Sequence, residues 1–506
     1  MNYFCFFHKM RQKIHISASN YTQIIKKNAH ALVYIIFLYY LCTGYEGEVS
    51  MKKYLVFLWV CLLSVGMQAV NPSGTLPIVY MTTNSGQAIT DKENYVPGTV
   101  YIDPLSTNYA ALGTSTSPLT AQVKGRGNWT WSGFDKKPYK IKFDAKQKVL
   151  GMPKNKHWVL IAGADDGLGY LKNPVGFMIS KALGLRWTPG IVPVELVLNG
   201  NYQGLYFLTE HVRVDKNRVN IQEQEDLCTN ADSITGGWLV EIDNYWSENN
   251  IEFDENNGQH VMVSLDVPEV LSAVQRNYIV NQIEALNNAI YGNSSAALEQ
   301  ILDIDEAAKF YLVQEIMEDC ESYHGSCKLY KDRDSLGTVD KWKFGPVWDF
   351  GNAYDRHAER WIYDGPTWPQ YWIGQLATWP VFQKAVKEQW WIYYHHYKDT
   401  IRQQAIDFAN LLIEAAKRDA QVWDGTANFR NNSNMADRRN DFINRYNWRI
   451  NWLYQQWGEG IQPVTEGVER TQIDEVGRKM LRDGQLIIQR GGKTYTIQGQ
   501  VLQSEY

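Results

Sequence analysis

Asp349 follows a short apolar run and precedes a glycine. The run Val347-Trp348 has the character of a strand end, and it leads into Asp349, Phe350 and Gly351. A carboxylate at the end of a strand can hold a divalent metal ion such as magnesium, and a glycine lets the backbone turn beside it. Asp349 is therefore the first candidate metal ligand.

A polar loop upstream carries further carboxylates. Glu321 stands five positions before Ser326, and Asp319 lies two positions before Glu321. Protein kinases place a catalytic carboxylate five residues before a metal-binding side chain, where it orients the substrate hydroxyl and accepts its proton. This spacing favours Glu321 as the catalytic residue and Ser326 as an assisting metal ligand. Asp319 is the alternative if the loop is shifted by two, and a solvated acidic turn after a helix would have the same residues.

A glycine-rich basic stretch is the third candidate. Arg126 lies between two glycines, and a predicted strand from Tyr139 to Phe143 follows it. Strand alternation puts Lys140 and Lys142 on one face, where they and the turn could bind the phosphates of ATP. Glu210, at the end of a hairpin strand, is a candidate partner for one of these lysines. A basic edge strand facing solvent would have the same pattern.

These residues must be positioned by a mostly β first half and a mostly α second half. Alternating apolar runs from Leu76 to Phe143, and the turn Asn199-Gly200 between two further runs, predict antiparallel strands. Apolar spacing predicts helices from Asp305 to about Met317 and through most of Trp379 to Trp457. The predicted fold class is α+β, and the order helix, polar loop, hairpin, Asp-Phe-Gly is that of a kinase's larger lobe.

Three separated stretches resemble the spore-coat-protein-H (CotH) kinase family in order and spacing. They are KGRGNWTWSGFDKKPYKIKF at 124–143, PVELVLNGNYQGLYFLTE at 193–210 and KFGPVWDFGNAYD at 343–355. The resemblance covers about residues 75–450, and the region around Pro77 is similar to Bacteroides-type members. It implies an atypical, bilobal protein-kinase-like fold. It also implies transfer of phosphate from ATP, with magnesium, to Ser or Thr of exported or coat proteins.

The chain departs from this family at two positions. The family usually has Asp where Glu321 stands, and it often has a second Asp where this chain has Gly351. Because phosphoryl transfer depends on positioning, the extra methylene of Glu321 would slow the reaction. The alternative function is a non-catalytic one, either a pseudokinase or an aromatic-rich surface protein that binds glycans or proteins.

The first seventy residues have features of export. Lys52 and Lys53, the apolar run Tyr54 to Val65, and small residues up to Ala69 follow the order of a secretory signal peptide. We therefore expect 1–50 to be a mis-assigned start or an extension and 51–69 to be cleaved. Residues 70–458 would form the kinase-like domain, and 459–506 a linker with a short C-terminal β segment. The predicted location is periplasmic, cell-surface or extracellular, with no stable membrane span after cleavage.

Removal of residues 1–69 would leave 43 basic and 53 acidic side chains, a net charge of −10. This charge argues against nucleic acid as a partner, since phosphates demand a basic face, and an acceptor protein is expected instead. The remaining cysteines are Cys228, Cys320 and Cys327, an odd number that predicts no complete disulfide framework. Cys320 and Cys327 could either pair or stay reduced.

Overall fold

The computed structural model describes residues 70–245, 250–255, 258–335, 337–364 and 369–463, and the backbone of four strands between 478 and 502. The predicted extension 1–50 and signal peptide 51–69 lie outside the described residues. The chain divides into one compact unit that runs to Ile461 and a second that begins at Gln462.

The first part of the chain forms a β-barrel. Its strands are β1 (Ile78–Thr83), β2 (Val96–Asp103), β3 (Leu119–Gly125), β4 (Tyr139–Val149), β5 (Met152–Ile161), β6 (Ile191–Leu198) and β7 (Asn201–Glu210). They close in the order β1-β2-β3-β4-β5-β7-β6. All pairs are antiparallel except β1 with β6, which is parallel. Closure removes the free sheet edges that an open sheet would expose.

Alternating side chains decide which face of each strand fills the barrel. Tyr139, Ile141 and Phe143 are buried in the barrel core, and the residues between them face outward. The predicted hairpin at Asn199-Gly200 is confirmed, because it joins β6 to β7 with φ values of 50° and 76° at the two turn residues. Such positive φ values are typical of the tight turns that match strand twist.

A second sheet follows the barrel. Its strands are β8 (Trp238–Asp243), β9 (Ile251–Asp254), β10 (His260–Val267), β11 (Cys327–Lys331) and β12 (Lys343–Phe344). They pair antiparallel in the order β12-β11-β8-β10-β9. β12 ends before Pro346, which has no N–H to continue the ladder. The prediction of a strand at Val347-Trp348 is therefore wrong, and Asp349 lies in a loop beyond β12.

Helices make up most of the second half. They are α1 (Trp129–Ser132), α2 (Lys172–Leu183), α3 (Ala273–Ile290), α4 (Ser295–Ile301), α5 (Ile304–Met317), α6 (Ile373–Leu376), α7 (Pro380–His396), α8 (Lys398–Leu411), α9 (Ile413–Trp423) and α10 (Met435–Trp457). Strands predominate before α3 and helices after it, so the predicted α+β class is confirmed. Within the described residues, no helix combines the length and the apolar character that crossing a bilayer requires.

Helix α5 lies at the centre of the helical part. It begins after Asp303, whose side chain accepts a hydrogen bond from the N–H of Glu306 at 3.1 Å and so caps the helix. Nearly every residue from Glu306 to Met317 is buried, because α2, α7 and α10 all pack against the helix. Its last turn leads directly into the polar loop that carries Asp319 and Glu321.

The second unit contains a small sheet. Its strands are β13 (Arg478–Arg482), β14 (Gln485–Arg490), β15 (Lys493–Thr496) and β16 (Val501–Leu502). Neighbours in sequence pair antiparallel. In the first unit, Cys228, Cys320 and Cys327 are free thiols.

Candidate active site

A polar cleft of about 480 Å³ is lined by the turn after β3, the ends of β5 and β8, and the loops near residues 321–326 and 348–355. Its acidic lining residues are Asp165, Glu241, Asp243, Asp266, Glu321, Asp349 and Asp355. Its lysines and arginines are Arg126, Lys136, Lys328 and Arg430. Acidic groups outnumber basic ones, so the cleft is suited to a ligand that brings its own cations.

Asp349 is held in the left-handed backbone region, with φ 58° and ψ 65°. The next residue, Phe350, is fully buried under α2, and its N–H donates to Asn173 Oδ1 at 3.1 Å. Ser326, also left-handed, places its Oγ 3.5 Å from Asp349 Oδ2. Strained backbone of this kind persists only where the surroundings fix it, and it occurs often at functional sites. Phe350 thus anchors the Asp349 carboxylate beside the cleft.

Lys172, at the start of α2, braces the turn that follows Asp349. Its Nζ donates to the carbonyl of Gly351 at 2.7 Å and pairs with Asp355 at 2.6 Å. The Lys172 side chain is almost completely buried, whereas that of Asp355 is half exposed. The turn is therefore tied to α2 by both its main chain and a side chain.

Glu321 lines the cleft, and Asp319 does not. The Glu321 carboxylate accepts hydrogen bonds from Asn352 Nδ2 and, at 3.4 Å, from Asn244 Nδ2. Burial, and secondly the charge of Asp349, raise the pKa of Glu321 above its usual value. Asp319 is buried behind it, and burial, followed by the charges of Glu321 and Asp349, holds its pKa well above the usual range. Glu321 is thus the carboxylate that a ligand in the cleft can reach.

Arg126 enters the cleft from the turn after β3. Its guanidinium lies over the Trp348 ring, 5.6 Å from the centroid. Burial lowers the pKa of Arg126, while the carboxylates of Asp349, Glu241 and Asp165 act in the opposite direction and favour the charged form. Arg126 is therefore a cation placed among acidic groups, where it can also meet a phosphate.

Lys140 and Lys142 share one face, as predicted, but that face is the outer surface of the barrel. Neither residue is among those that line the cleft. Lys140 stands opposite Lys124 on β3, and burial together with that neighbouring charge lowers the pKa of Lys140 to about 8. The Lys142 ammonium lies 5.7 Å from the Tyr95 ring centroid. Strand alternation correctly places the two lysines on the same face of β4, but it does not show whether that face lies inside or outside the barrel.

Glu210 has a different partner from the predicted lysines. Its Oε1 lies 3.6 Å from Arg218 Nε, and its Oε2 accepts a 2.8 Å hydrogen bond from the N–H of Gly190. Burial raises the pKa of Glu210, although the Gly190 hydrogen bond and the Arg218 charge act against it. The structure therefore brings together Asp349, Ser326, Glu321 and Arg126, and it places Lys140, Lys142 and Glu210 elsewhere.

Asp165 is a cleft residue that the sequence analysis did not identify. It follows the buried end of β5, and burial, together with the Asp349 carboxylate, raises the pKa of Asp165 to about 6. The signal that could have found it is the one used for Asp349, a carboxylate directly after an apolar run. The Asp165-Asp166 pair after the apolar end of β5 fits that signal.

Two buried lysines also escaped the sequence analysis. Lys136 Nζ pairs with Asp419 at 2.8 Å and donates to the Leu205 carbonyl at 2.6 Å, which ties the loop beside Arg126 to helix α9. Lys328 pairs with Glu241 and with Asp266, the latter at 2.6 Å. Lys328 neutralises part of the acidic lining, because Glu241 and Asp266 both line the cleft, whereas Lys136 is a lining residue whose own charge is neutralised by Asp419 outside the cleft.

The residues present fit a magnesium ion that arrives with a nucleotide. Within the described ranges, no three His, Cys, Asp or Glu side chains form a complete metal-binding group. Magnesium seldom needs such a group, because it keeps several waters and is held by one or two carboxylates together with substrate phosphates. Asp349 could supply the carboxylate, Ser326 a hydroxyl oxygen, and Arg126 a contact to the phosphates.

No curated protein matches the chain. The family model described as CotH kinase protein matches residues 123–452, which is more than half of the chain and includes every residue that lines the cleft. The chain belongs to the CotH kinase family.

Proposed function

We propose that this protein is an exported, magnesium-dependent kinase that transfers the γ-phosphate of ATP to Ser or Thr of a secreted or surface protein. The observation that carries the proposal is the meeting of Asp349, Glu321 and Arg126 in one cleft of a CotH family member. The barrel and the helical part would correspond to the two lobes of an atypical kinase-like fold.

In this proposal the acidic side chains bind the metal ion and the basic side chain binds the phosphates. Asp349, with Ser326 beside it, would hold magnesium, which neutralises charge on the phosphate oxygens when it is bound with ATP. Arg126 would bind the phosphates, because a planar guanidinium presents several N–H donors to phosphate oxygens. Before a ligand enters, the buried Phe350 anchors Asp349, and the Arg126 guanidinium lies over the Trp348 ring.

Glu321 would accept the proton of the acceptor hydroxyl. Its raised pKa makes it a better base than an exposed carboxylate, and Asn352 and Asn244 hold it in place. Asp319, the alternative, is buried behind Glu321 and would support it through the 3.4 Å contact between Asp319 Oδ1 and the N–H of Glu321. These positions favour Glu321 over Asp319 as the catalytic carboxylate.

A non-catalytic role is the second candidate, and the observation that favours it is Glu321 itself. A glutamate reaches one methylene further than the aspartate usual in the family, and a misplaced base slows phosphoryl transfer strongly. Such a pseudokinase would bind ATP with magnesium without passing phosphate to a hydroxyl. An aromatic-rich surface protein that binds glycans or proteins would bind neither.

Phosphate transfer from γ-labelled ATP to exported proteins of the host tests the proposal. The wild-type chain should label an acceptor only with magnesium, and Glu321→Gln should reduce labelling at least ~100-fold with little change in ATP affinity. Asp399→Asn, a change at an exposed residue, is the matched control. Magnesium-dependent ATP binding without labelling of any acceptor would indicate a pseudokinase. If Asp319→Asn abolishes labelling and Glu321→Gln does not, the catalytic assignment is wrong.

A further inference from the structure

The backbone conformation at Gly351 does not require a glycine, but the space around it does favour one. Its φ lies outside the left-handed region, so the main chain there accepts any residue. A Cβ added at Gly351 would instead lie 2.9 Å from Asp165 Oδ2 and 3.5 Å from Asp349 Oδ1. A side chain at this position would require the Asp165 carboxylate to move, because that carboxylate occupies the space.

The two distances are measured from one point, so the Asp165 and Asp349 carboxylates border the same small volume. The sequence separates them by 184 positions, and the loop after β5 brings them together. That loop is fixed by Asp166, which accepts hydrogen bonds from the N–H groups of Leu168 at 2.8 Å and Lys172 at 2.9 Å. The turn that carries Asp165 is therefore held in place by these hydrogen bonds.

The surroundings leave Asp165 available to a cation. In the part of the chain that the structure describes, its carboxylate forms no ion pair, whereas the nearby Lys172 is occupied by Asp355 and by the Gly351 carbonyl. The charges of Lys172, Lys136 and Arg126 act on Asp165. Lys172 is already paired with Asp355 and Lys136 with Asp419, and Arg126 is shared with Asp349 and Glu241. Two facing carboxylates with one shared guanidinium favour a further positive charge between them.

We propose that Asp165 is the second carboxylate of the metal site, contributed from the end of the barrel and facing Asp349 across Gly351. This inference rests on the proposed function, because the metal is the one that enters with ATP. Asp165 would come from the barrel and Asp349 from the loop after β12, so a bound ion would connect these two parts of the first unit.

Binding of Mn²⁺ in the presence of a non-hydrolysable ATP analogue tests the assignment, with free Mn²⁺ followed by electron paramagnetic resonance. Asp165→Asn keeps the shape of the side chain and should weaken Mn²⁺ binding by about tenfold or more. Asp399→Asn is the matched control, because Asp399 is an exposed aspartate of α8 that does not line the cleft. It should bind Mn²⁺ as the wild type does.

A double variant that exchanges the residues at positions 165 and 351 tests the assignment by a gain of Mn²⁺ binding as well as by a loss. Gly351→Asp alone should weaken Mn²⁺ binding, because its Cβ meets the Asp165 carboxylate. Asp165→Gly combined with Gly351→Asp removes that overlap and returns a carboxylate to the same volume, so this double variant should bind more tightly than either single variant.

The outcomes separate this inference from the proposed function. If Asp349→Asn loses Mn²⁺ binding and Asp165→Asn keeps it, the assignment of Asp165 is overturned and the proposed function stands. Failure of the double variant to exceed both single variants would also overturn the assignment. A wild-type chain that binds no Mn²⁺ with the nucleotide would overturn both.

Discussion

Gly176 lies inside α2, directly against Phe350. A Cβ at this position would lie 2.3, 2.5 and 2.6 Å from three atoms of the Phe350 ring. Carbon atoms pack best at about 3.5–4.0 Å, so the ring would have to move by more than an ångström. Because Phe350 adjoins Asp349, Gly176→Ala should disturb both the stability of the protein and the metal site.

The two effects of this substitution oppose each other. Alanine in place of a glycine within a helix stabilises a protein by about 0.5–1 kcal/mol. Overpacking a buried contact costs about 1–3 kcal/mol. The overlap with the ring should outweigh the helix effect, and we expect the free energy of unfolding to fall by about 1–2 kcal/mol.

Denaturant unfolding of the wild type and variants measures this change. Gly374→Ala is the matched control, since Gly374 lies in α6 with no atom within 4 Å of the added Cβ and should be neutral or slightly stabilising. Phe350→Leu combined with Gly176→Ala should recover part of the loss, because the smaller side chain relieves the overlap. If Gly176→Ala stabilises the protein as much as Gly374→Ala does, Phe350 is not wedged against α2 and this account of how Asp349 is anchored fails.

Three further predictions follow from buried charge and from the N-terminus. Asp419→Ala leaves the buried Lys136 ammonium without its carboxylate and should lower the free energy of unfolding by about 3–5 kcal/mol. The control Asp399→Ala, at an exposed residue, should change it by less than about 0.5 kcal/mol. Equal effects of the two substitutions would contradict a stabilising role for the buried pair. Burial, aided by neighbouring cations, lowers the pKa of His157 to about 3 against about 6.5 in the unfolded chain. Its neutral form therefore stabilises the fold above pH 6.5, and stability should fall as the pH drops from there toward 3. The melting temperature should decline less steeply over this range in His157→Gln, and identical slopes would exclude a role for His157. N-terminal sequencing of protein from the native host should begin near Val70, and an intact first residue would refute cleavage.

Sequence patterns that span a few residues predicted secondary-structure elements and some of the residues that line the cleft. Alternation and the turn Asn199-Gly200 identify a hairpin, because both signals lie within a few residues. The loop after α5 and the Asp-Phe-Gly triplet led to Glu321 and Asp349, which do line one cleft. The hairpin is confirmed because its signals are neighbours in sequence, whereas the catalytic role of Glu321 and the metal-binding role of Asp349 stay predictions.

The remaining features depend on closure of the barrel and on long-range contacts. Nothing in the spacing of Lys140 and Lys142 shows that their shared face turns outward, since only the closed barrel fixes that direction. Pairs such as Lys136 with Asp419 join residues 283 positions apart. Asp165 has the same kind of separation from Asp349, so a single sequence offers no periodic signal that links them.

Calorimetric titration of the protein with ATP tests the central claim most directly. ATP should bind with measurable heat only when magnesium is present, and Asp349→Asn should abolish that binding while the melting temperature stays nearly unchanged, because a cleft carboxylate adds little to core packing. ATP binding that is indifferent to magnesium and to Asp349→Asn, or no binding at all by the wild-type chain, would contradict the assignment of this cleft as a nucleotide site.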